Sequence, residues 1–296
     1  MMRFTNEQLE FRIGNVAFGG QPGRRRAVMI GSLFYPGHSI VEDRATGRCA
    51  TGKTEDLLNR MQKASEETRT PAAVMVYAET ERAMHSHVAN VADLTSLPIF
   101  IDSPSAKVRM SGCMEARRLG LLDRVVYNSL NAGVTQEELE GISASGVSAA
   151  VLLAFNPQGI DVKGKIYLLE NGGGILPEGL IDMARGAGIT KPLLDVAVMA
   201  AEQNAGAALR ALTISKAKWG FPCGCALHNA VESFGPLAEL KGDDRKIYRY
   251  VDVASAVMPM MAGADFVMFG PIEYARRVMH AAAFADELLA QAVADI

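Results

Sequence analysis

Eight short apolar segments alternate with helix-like segments along most of the chain, and this alternation limits the fold more than any other feature. Each segment is about as long as a β-strand, and most are continuously apolar, as strands buried on both faces are. They are AVMIGSLFY (27–35), AAVMVYA (72–78), LPIFIDS (97–103), RVVYNSLN (124–131), AAVLLAFN (149–156), KPLLDVAV (191–198), FPCGCALHN (221–229) and ADFVMFGP (264–271). Eight β/α units in 296 residues predict an α/β fold of the (β/α)8 TIM-barrel type.

The segment before the first of these strands, EFRIGNVAFGGQPG, is typical of a β-hairpin that turns at Gly14 and Asn15. We expect this N-terminal hairpin to close the N-terminal mouth of the barrel. Thr135 and Glu138 have the spacing of a capping box and predict the start of a helix. A doubly wound open sheet is the alternative fold, but the first strand is followed by GSLFYPGHS rather than a G-x-G-x-x-G turn. No linker or repeat interrupts the chain, so we expect a single domain over residues 1–296.

Composition restricts the class of protein. The chain is 49% hydrophobic with a formal net charge of −3, which provides a sizeable core but no basic surface for nucleic acid. No run of eighteen apolar residues predicts a membrane span, and the charged N-terminal segment does not resemble a signal peptide. The four cysteines do not have the spacing of a secreted disulfide framework. These features favour a cytoplasmic protein.

Polar residues stand at the ends of five of the predicted strands. In a TIM barrel the chemistry takes place at the C-terminal ends of the strands, so these positions are candidates for a binding site. Asp and Asn are poor strand formers, and burying one without a partner costs about 1–3 kcal/mol. The alternative is that they cap the following helices, where both residues are favoured. The candidates are Asp102, Asn128 with Ser129, Asn156, Asp195 and Asn229.

The segment PCGCALHN places two cysteines and a histidine within six residues, which raises the question of a metal site. Cys223 and Cys225 flank Gly224 on a predicted strand, so both thiols point to one side, while His228 falls on the other by parity. Zinc needs three or four protein ligands at workable spacing, and Cys49 and Cys113 stand alone elsewhere. We therefore expect no metal here, and two small side chains packed in the barrel wall.

The motifs GGQPG, FIDSPS, VVYNSLNA, VLLAFNP, PLLDVAV and PCGCALHNAV occur in an order that resembles the H-subunit family of tetrahydromethanopterin S-methyltransferases. The chain is more distantly similar to pterin-binding methyltransferases that use methyltetrahydrofolate and a corrinoid protein. The resemblance implies that Asp102 and Asn128 bind the pterin ring, that Asp195 is the aspartate of the sixth strand, and that Asn229 lies beside the methyl-carrying nitrogen. Ser129 and Asn156 belong to the same motifs, and we expect them to line the pterin site. Asp195 and Asn229 are the candidate catalytic residues.

The resemblance also implies a reaction. A methyl group moves between the cobalt of a cobalamin carried by a partner corrinoid protein and N5 of a pterin. The chain resembles bacterial members that methylate tetrahydrofolate from methylcobalamin, so we expect tetrahydrofolate as the pterin. A carboxylate suits the adjacent N–H and amine donors of the pterin pyrimidine edge, and we expect Asp195 to make this contact. The family further implies a homodimer.

Three alternatives stay open. The same transfer with tetrahydromethanopterin fits the shared pyrimidine edge equally well. A non-catalytic subunit that docks a corrinoid protein is disfavoured because a scaffold has no use for buried aspartates. A pterin-condensing synthase on the same barrel would need cationic residues for pyrophosphate, whereas the strand ends here carry carboxylates and amides.

Overall fold

The computed structural model describes residues 3–237 and 245–294 and contains a closed barrel of eight parallel strands, as predicted. The strands occupy the apolar segments of the sequence, each one pairs with the next along the chain, and the last pairs back to the first. They are β3 (Val28–Leu33), β6 (Ala72–Tyr77), β7 (Ile99–Asp102), β8 (Val125–Leu130), β9 (Ala149–Leu153), β10 (Lys191–Asp195), β11 (Cys223–Cys225) and β12 (Phe266–Pro271).

Helices follow these strands and cover the outside of the barrel. They are α1 (Thr51–Thr68), α2 (Glu81–Leu94), α3 (Ala106–Arg118), α4 (Gln136–Ser145), α5 (Val162–Asn171), α6 (Leu180–Gly186), α7 (Ala205–Trp219), α8 (His228–Ser233), α9 (Arg245–Met261) and α10 (Ala275–Ala294). Short 3₁₀ turns lie at Leu122–Arg124, Ala201–Gln203 and Ile272–Tyr274. Among the described helices, none is both long enough and apolar enough to cross a membrane.

The N-terminal hairpin closes one end of the barrel, as predicted. Strands β1 (Glu10–Ile13) and β2 (Val16–Gly19) pair with Ile13 opposite Val16, so the turn consists of Gly14 and Asn15. Gly14 has a φ of +54°, a conformation that glycine adopts at little cost. Phe18 is fully buried, and its ring centroid lies 6.1 Å from that of Phe100 and 6.4 Å from that of Phe266. These aromatic side chains fill the N-terminal end of the barrel interior.

A second small hairpin was not predicted. Strands β4 (Val41–Asp43) and β5 (Arg48–Cys49) follow β3 and form an antiparallel pair before α1. The segment lacks the apolar alternation of a buried strand. Its turn is instead stabilised by the Asp43 carboxylate, which accepts hydrogen bonds from the backbone N–H groups of Ala45 (2.9 Å) and Thr46 (3.3 Å).

Candidate active site

The alternation of side chains along the barrel strands determines which residues face the interior. Phe100, Val126 and Leu193 belong to the cluster that fills the barrel. Asp102, Asn128 and Asp195 each follow one of these residues by two positions and therefore face the interior one layer higher, at the C-terminal mouth. The structure thus places three of the predicted residues on one rim of the barrel.

Asp102 and Asn128 form a direct pair on neighbouring strands. The two residues are opposite each other in the β7–β8 register, and Asn128 Nδ2 donates to Asp102 Oδ1 at 3.1 Å and to the sulfur of Met75 at 3.3 Å. Burial raises the pKa of the Asp102 carboxyl to about 7, and the nearby charge of Arg109 opposes this rise. Within the described residues, Asp102 Oδ2 and Asn128 Oδ1 have no hydrogen-bond partner and remain free to accept.

A buried ionic network lies behind this pair and was missed in the sequence. Arg109 of α3 donates to the Ser103 carbonyl oxygen at 2.6 Å and to Glu138 Oε1 at 2.8 Å. The Tyr127 hydroxyl donates to the same carboxylate oxygen. The side chains of Arg109 and Glu138 are both about 4% exposed. Their hydrogen bonds join α3, α4 and β8 beneath Asp102. From the sequence alone, a buried, ion-paired arginine on a polar helix cannot be distinguished from an arginine that is exposed to solvent.

Glu138 also corrects the prediction of a complete capping box. Thr135 Oγ1 does accept a hydrogen bond from Glu138 N at 3.2 Å, so the helix begins where it was predicted. The Glu138 carboxylate, however, turns inward to Arg109 and Tyr127. In this position the carboxylate accepts from two buried donors and pairs with a positive charge, whereas the capping box would offer it only the Thr135 backbone N–H.

Asp195 and Asn229 meet at the segment that follows β10. Asp195 Oδ1 accepts from Ala197 N at 2.8 Å, and Asn229 Nδ2 donates to the Val198 carbonyl oxygen at 2.8 Å. Ala197 has a φ of +52°, a left-handed conformation that few residues other than glycine adopt, directly after β10. Among the described residues, Asp195 Oδ2 and Asn229 Oδ1 have no hydrogen-bond partner. Burial raises the pKa of Asp195 to about 6, opposed by the Ala197 hydrogen bond and by the charge of Lys165.

Asn156 and Ser129 differ from the other candidates. Asn156 Nδ2 donates to the carbonyl oxygens of Gly173 (3.2 Å) and Gly164 (3.4 Å), while its Oδ1 accepts from Gln158 N at 2.9 Å. Both ends of this carboxamide therefore hold the backbone of neighbouring loops, close to the capping role considered as the alternative. Ser129 is half-buried where the β8–β9 register shifts, and its peptide bond with Asn128 is cis.

The cysteines of β11 face away from the mouth. Cys223 and Cys225 are fully buried in the layer between barrel and helices, so both thiols point to the same side, as predicted. His228 Nδ1 lies 3.0 Å from the Met268 carbonyl oxygen. Across residues 3–237 and 245–294, no three His, Cys, Asp or Glu side chains are grouped to hold a metal ion.

The chemical character of the mouth follows from these contacts. Within the described part of the chain, Asp102, Asn128, Asp195 and Asn229 each keep one side-chain oxygen without a partner, and such an oxygen can accept a hydrogen bond. Such a set suits a planar molecule rich in N–H donors. The two halves of the site are separated by β9, which lies between β8 and β10 in the barrel.

Structural comparison finds the same fold in dihydropteroate synthases. The enzyme from Xanthomonas albilineans superimposes with a TM-score of 0.64 over 97% of this chain and 99% of that chain, at 14% identity. The Yersinia pestis enzyme gives a TM-score of 0.62 over 95% and 98% of the two chains, at 15% identity. At these identities the likeness concerns the fold alone.

Sequence comparison identifies the family. The H subunit of tetrahydromethanopterin S-methyltransferase from Methanothermobacter marburgensis is 40% identical over all of this chain and 96% of its own length. The H subunit of a putative mtx methyltransferase from Methanosarcina barkeri is 35% identical over the same shares. The family model described as the tetrahydromethanopterin S-methyltransferase MtrH subunit matches residues 6–296. The chain therefore belongs to the tetrahydromethanopterin S-methyltransferase MtrH family, a family of methyltransferases.

Proposed function

We propose that this protein transfers a methyl group between N5 of a reduced pterin and a corrinoid carried by a partner protein. The observation that carries the proposal is the set of unpaired acceptor oxygens at one barrel mouth, on Asp102, Asn128, Asp195 and Asn229. The 2-amino-4-oxopyrimidine edge of a pterin carries adjacent N–H donors, which such oxygens bind.

Asp195 is the proposed contact for the pyrimidine edge. Among the described residues its Oδ2 has no partner, but its Oδ1 already accepts a hydrogen bond from Ala197 N. The bidentate contact expected from the sequence assumed that both oxygens were free. A carboxylate has about four acceptor sites, so Oδ1 retains capacity for a second donor. Asp102 and Asn128 then bind the remaining polar edge of the ring. A contact between Asn156 and the ligand stays a prediction. The hydrogen bond from Asn156 to the Gly173 carbonyl supports a role in positioning the loop after α5 instead.

Asn229 is the proposed contact for the reacting nitrogen. Because its Nδ2 is engaged by the Val198 carbonyl, the carboxamide presents its oxygen as an acceptor. An acceptor at this point would hold the N5–H group and orient the nitrogen lone pair toward the incoming methyl group. The proton that N5 releases has no dedicated base among the described residues, and we assign none.

The proposed partner supplies the corrinoid, which provides the methyl group bound to its cobalt. Three large apolar side chains are exposed after strands β9, β10 and β11: Ile160 (39%) in the loop after β9, Met199 (47%) in the loop after β10, and Phe234 (47%) at the C-terminal end of α8. Exposed apolar side chains around a binding site fit an apolar macrocycle presented by another protein. We propose that the corrinoid protein approaches this mouth.

The pterin is either tetrahydrofolate, favoured from the sequence, or tetrahydromethanopterin, which the names of the relatives contain. The two share the pyrimidine edge, so the acceptor set does not separate them. The homodimer and the cytoplasmic setting also stay predictions, and the mass of the native protein in solution checks the first.

The decisive experiment mixes the purified protein with methylcobalamin and each pterin in parallel and follows the absorbance of the demethylated corrinoid. We expect turnover with at least one pterin, and for Asp195→Asn a turnover that is strongly reduced at pterin concentrations near the wild-type Kd. Turnover with only one pterin assigns the substrate. Pterin binding without turnover, in the presence of the corrinoid protein, would instead support the non-catalytic docking subunit. Absence of binding to either pterin would contradict the proposal.

A further inference from the structure

Lys165 is a buried cation next to the proposed pterin site. It lies in the first turn of α5 and is 4% exposed. Its Nζ donates to the Ala197 carbonyl oxygen at 2.7 Å, and no carboxylate within the described residues lies at ion-pair distance. A buried ammonium without a directly contacting anion is costly, which suggests that its charge acts at a distance.

We propose that Lys165 is a positioning residue that keeps the Asp195 carboxylate ionised and fixes the backbone on which it rests. This inference rests on the proposed function, since it concerns how Asp195 remains an acceptor for the pterin.

The geometry connects the two charges through one residue. Ala197 accepts from Lys165 Nζ with its carbonyl oxygen and donates to Asp195 Oδ1 with its N–H group. These two groups belong to the successive peptide units on either side of the Ala197 Cα, so the cation holds one and the anion holds the other. The positive φ of Ala197 shows that the backbone is held in a conformation that alanine rarely adopts.

The electrostatics act in the same direction. Burial raises the pKa of Asp195, and the positive charge of Lys165 lowers it. Burial lowers the pKa of Lys165, whereas Asp195 and Cys225 raise it. Among the described residues, the titratable groups close enough to interact electrostatically with Asp195 are Lys165 of α5 and Cys225 of β11. Burial raises the pKa of the Cys225 thiol far above its usual range, so it carries no charge at neutral pH. Asn229 of α8 is uncharged, which leaves Lys165 as the opposing charge.

A simple structural clamp between α5 and the Ala197 segment would have the same contacts, and two variants separate the explanations. Lys165→Gln removes the charge but retains an N–H donor for the Ala197 carbonyl. Lys165→Arg retains the charge. Lys163→Met is the matched control, because Lys163 lies on the same helix, is not buried, and its loss changes the net charge equally.

The first readout is the pH midpoint of Asp195 in the ligand-free protein, measured by ¹³C NMR of its carboxyl carbon and assigned with Asp195→Asn. An opposite charge nearby shifts a carboxyl pKa by about 1–3 units. We therefore expect the midpoint to rise by about one unit or more in Lys165→Gln and to stay near the wild-type value in Lys165→Arg and Lys163→Met. A folded Lys165→Gln protein with the wild-type midpoint would overturn the inference.

The second readout is the pH dependence of pterin affinity. Each unit by which the Asp195 midpoint rises increases the fraction of the protein in which Asp195 is protonated. Lys165→Gln should therefore bind the pterin about two- to tenfold more weakly than wild type at pH 7 and regain wild-type affinity above about pH 9. An equal loss at every pH would indicate a clamp alone and contradict the electrostatic role.

The proposed function and the role of Lys165 can be contradicted independently. A wild-type protein that binds no pterin contradicts the function, whereas pterin binding with an unmoved midpoint in Lys165→Gln contradicts only this inference.

Discussion

The barrel buries a lysine and an aspartate at each end, and the two arrangements differ. At the N-terminal end, Lys216 Nζ contacts both oxygens of Asp265, at 2.7 and 2.6 Å, and Asp265 Oδ2 also accepts from Cys223 N at 2.8 Å. At the mouth, Lys165 and Asp195 do not touch, and Ala197 lies between them. In the first pair both carboxylate oxygens accept from protein donors, whereas in the second Asp195 Oδ2 has no partner among the described residues.

This difference separates stability from binding. The Lys216–Asp265 pair uses both carboxylate oxygens to join α7 to the start of β12, so neither oxygen is left entirely for a ligand. At the mouth, a buried carboxylate, that of Asp195, keeps one oxygen without a donor among the described residues, and this arrangement lowers the stability of the fold. Barrel proteins generally place stabilising residues at the N-terminal face and chemistry at the C-terminal face, and these two pairs show the physical form of that rule.

The largest expected effect is the destabilisation by Asp265→Asn. The substitution leaves the Lys216 ammonium buried without its carboxylate, which should cost about 3–5 kcal/mol of unfolding free energy in urea titrations. Pterin affinity of the folded protein should not change. The double variant Lys216→Met with Asp265→Leu is the control, since replacing both partners should cost far less. A loss of pterin affinity at unchanged stability would contradict the contrast between the two ends.

Asp195→Asn should have the opposite character. It removes a charge-assisted contact worth about 1.5–3 kcal/mol, so the pterin Kd should rise roughly 10- to 100-fold in calorimetric titrations. The free energy of unfolding should be unchanged or higher, because a buried charge has been removed. If this variant were destabilised as much as Asp265→Asn, the two pairs would be equivalent.

Asn229→Ala should mainly slow the reaction. Its oxygen is proposed to orient N5 rather than to anchor the ring, so turnover should fall about tenfold while the pterin Kd changes little. Single-turnover measurements with methylcobalamin, alongside equilibrium titrations, separate these quantities. Equal losses in Kd and turnover would assign Asn229 to ring binding.

The smallest expected effect is a gain of stability in Asp102→Asn at high pH. The pKa of Asp102 is raised to about 7 in the folded protein, so the stability contributed by its proton is complete below about pH 4 and lost as the pH rises through 7. The variant should therefore exceed wild type by about 1 kcal/mol at pH 8, after screening of the half-buried side chain, and match it near pH 4. Thermal melts at both pH values test this, and a constant difference would contradict it.

Much of the mouth could be predicted from the sequence. Asp102, Asn128 and Asp195 interrupt apolar strands at positions with interior parity, and parity is a local property of a strand. The same reasoning placed Cys223 and Cys225 together on one face of β11. Lys165 and Arg109 could not be found in this way, because a cation on an amphipathic helix has the same sequence pattern whether it reaches solvent or a buried carbonyl.

The sequence by itself determined the barrel, its N-terminal hairpin and the strand ends that carry polar residues, because burial on both faces of a strand is written in consecutive residues. Only the tertiary structure decided which atoms of those residues are free. Asn156 and Asn229 look alike in sequence, yet backbone groups occupy both ends of the Asn156 carboxamide, Gln158 N at the oxygen and the Gly173 carbonyl at the nitrogen. In Asn229 only the nitrogen is occupied, by the Val198 carbonyl 31 residues away in the chain. Which side-chain atoms stay free depends on hydrogen bonds to other segments of the chain, so it is decided only when the folded structure brings those segments together.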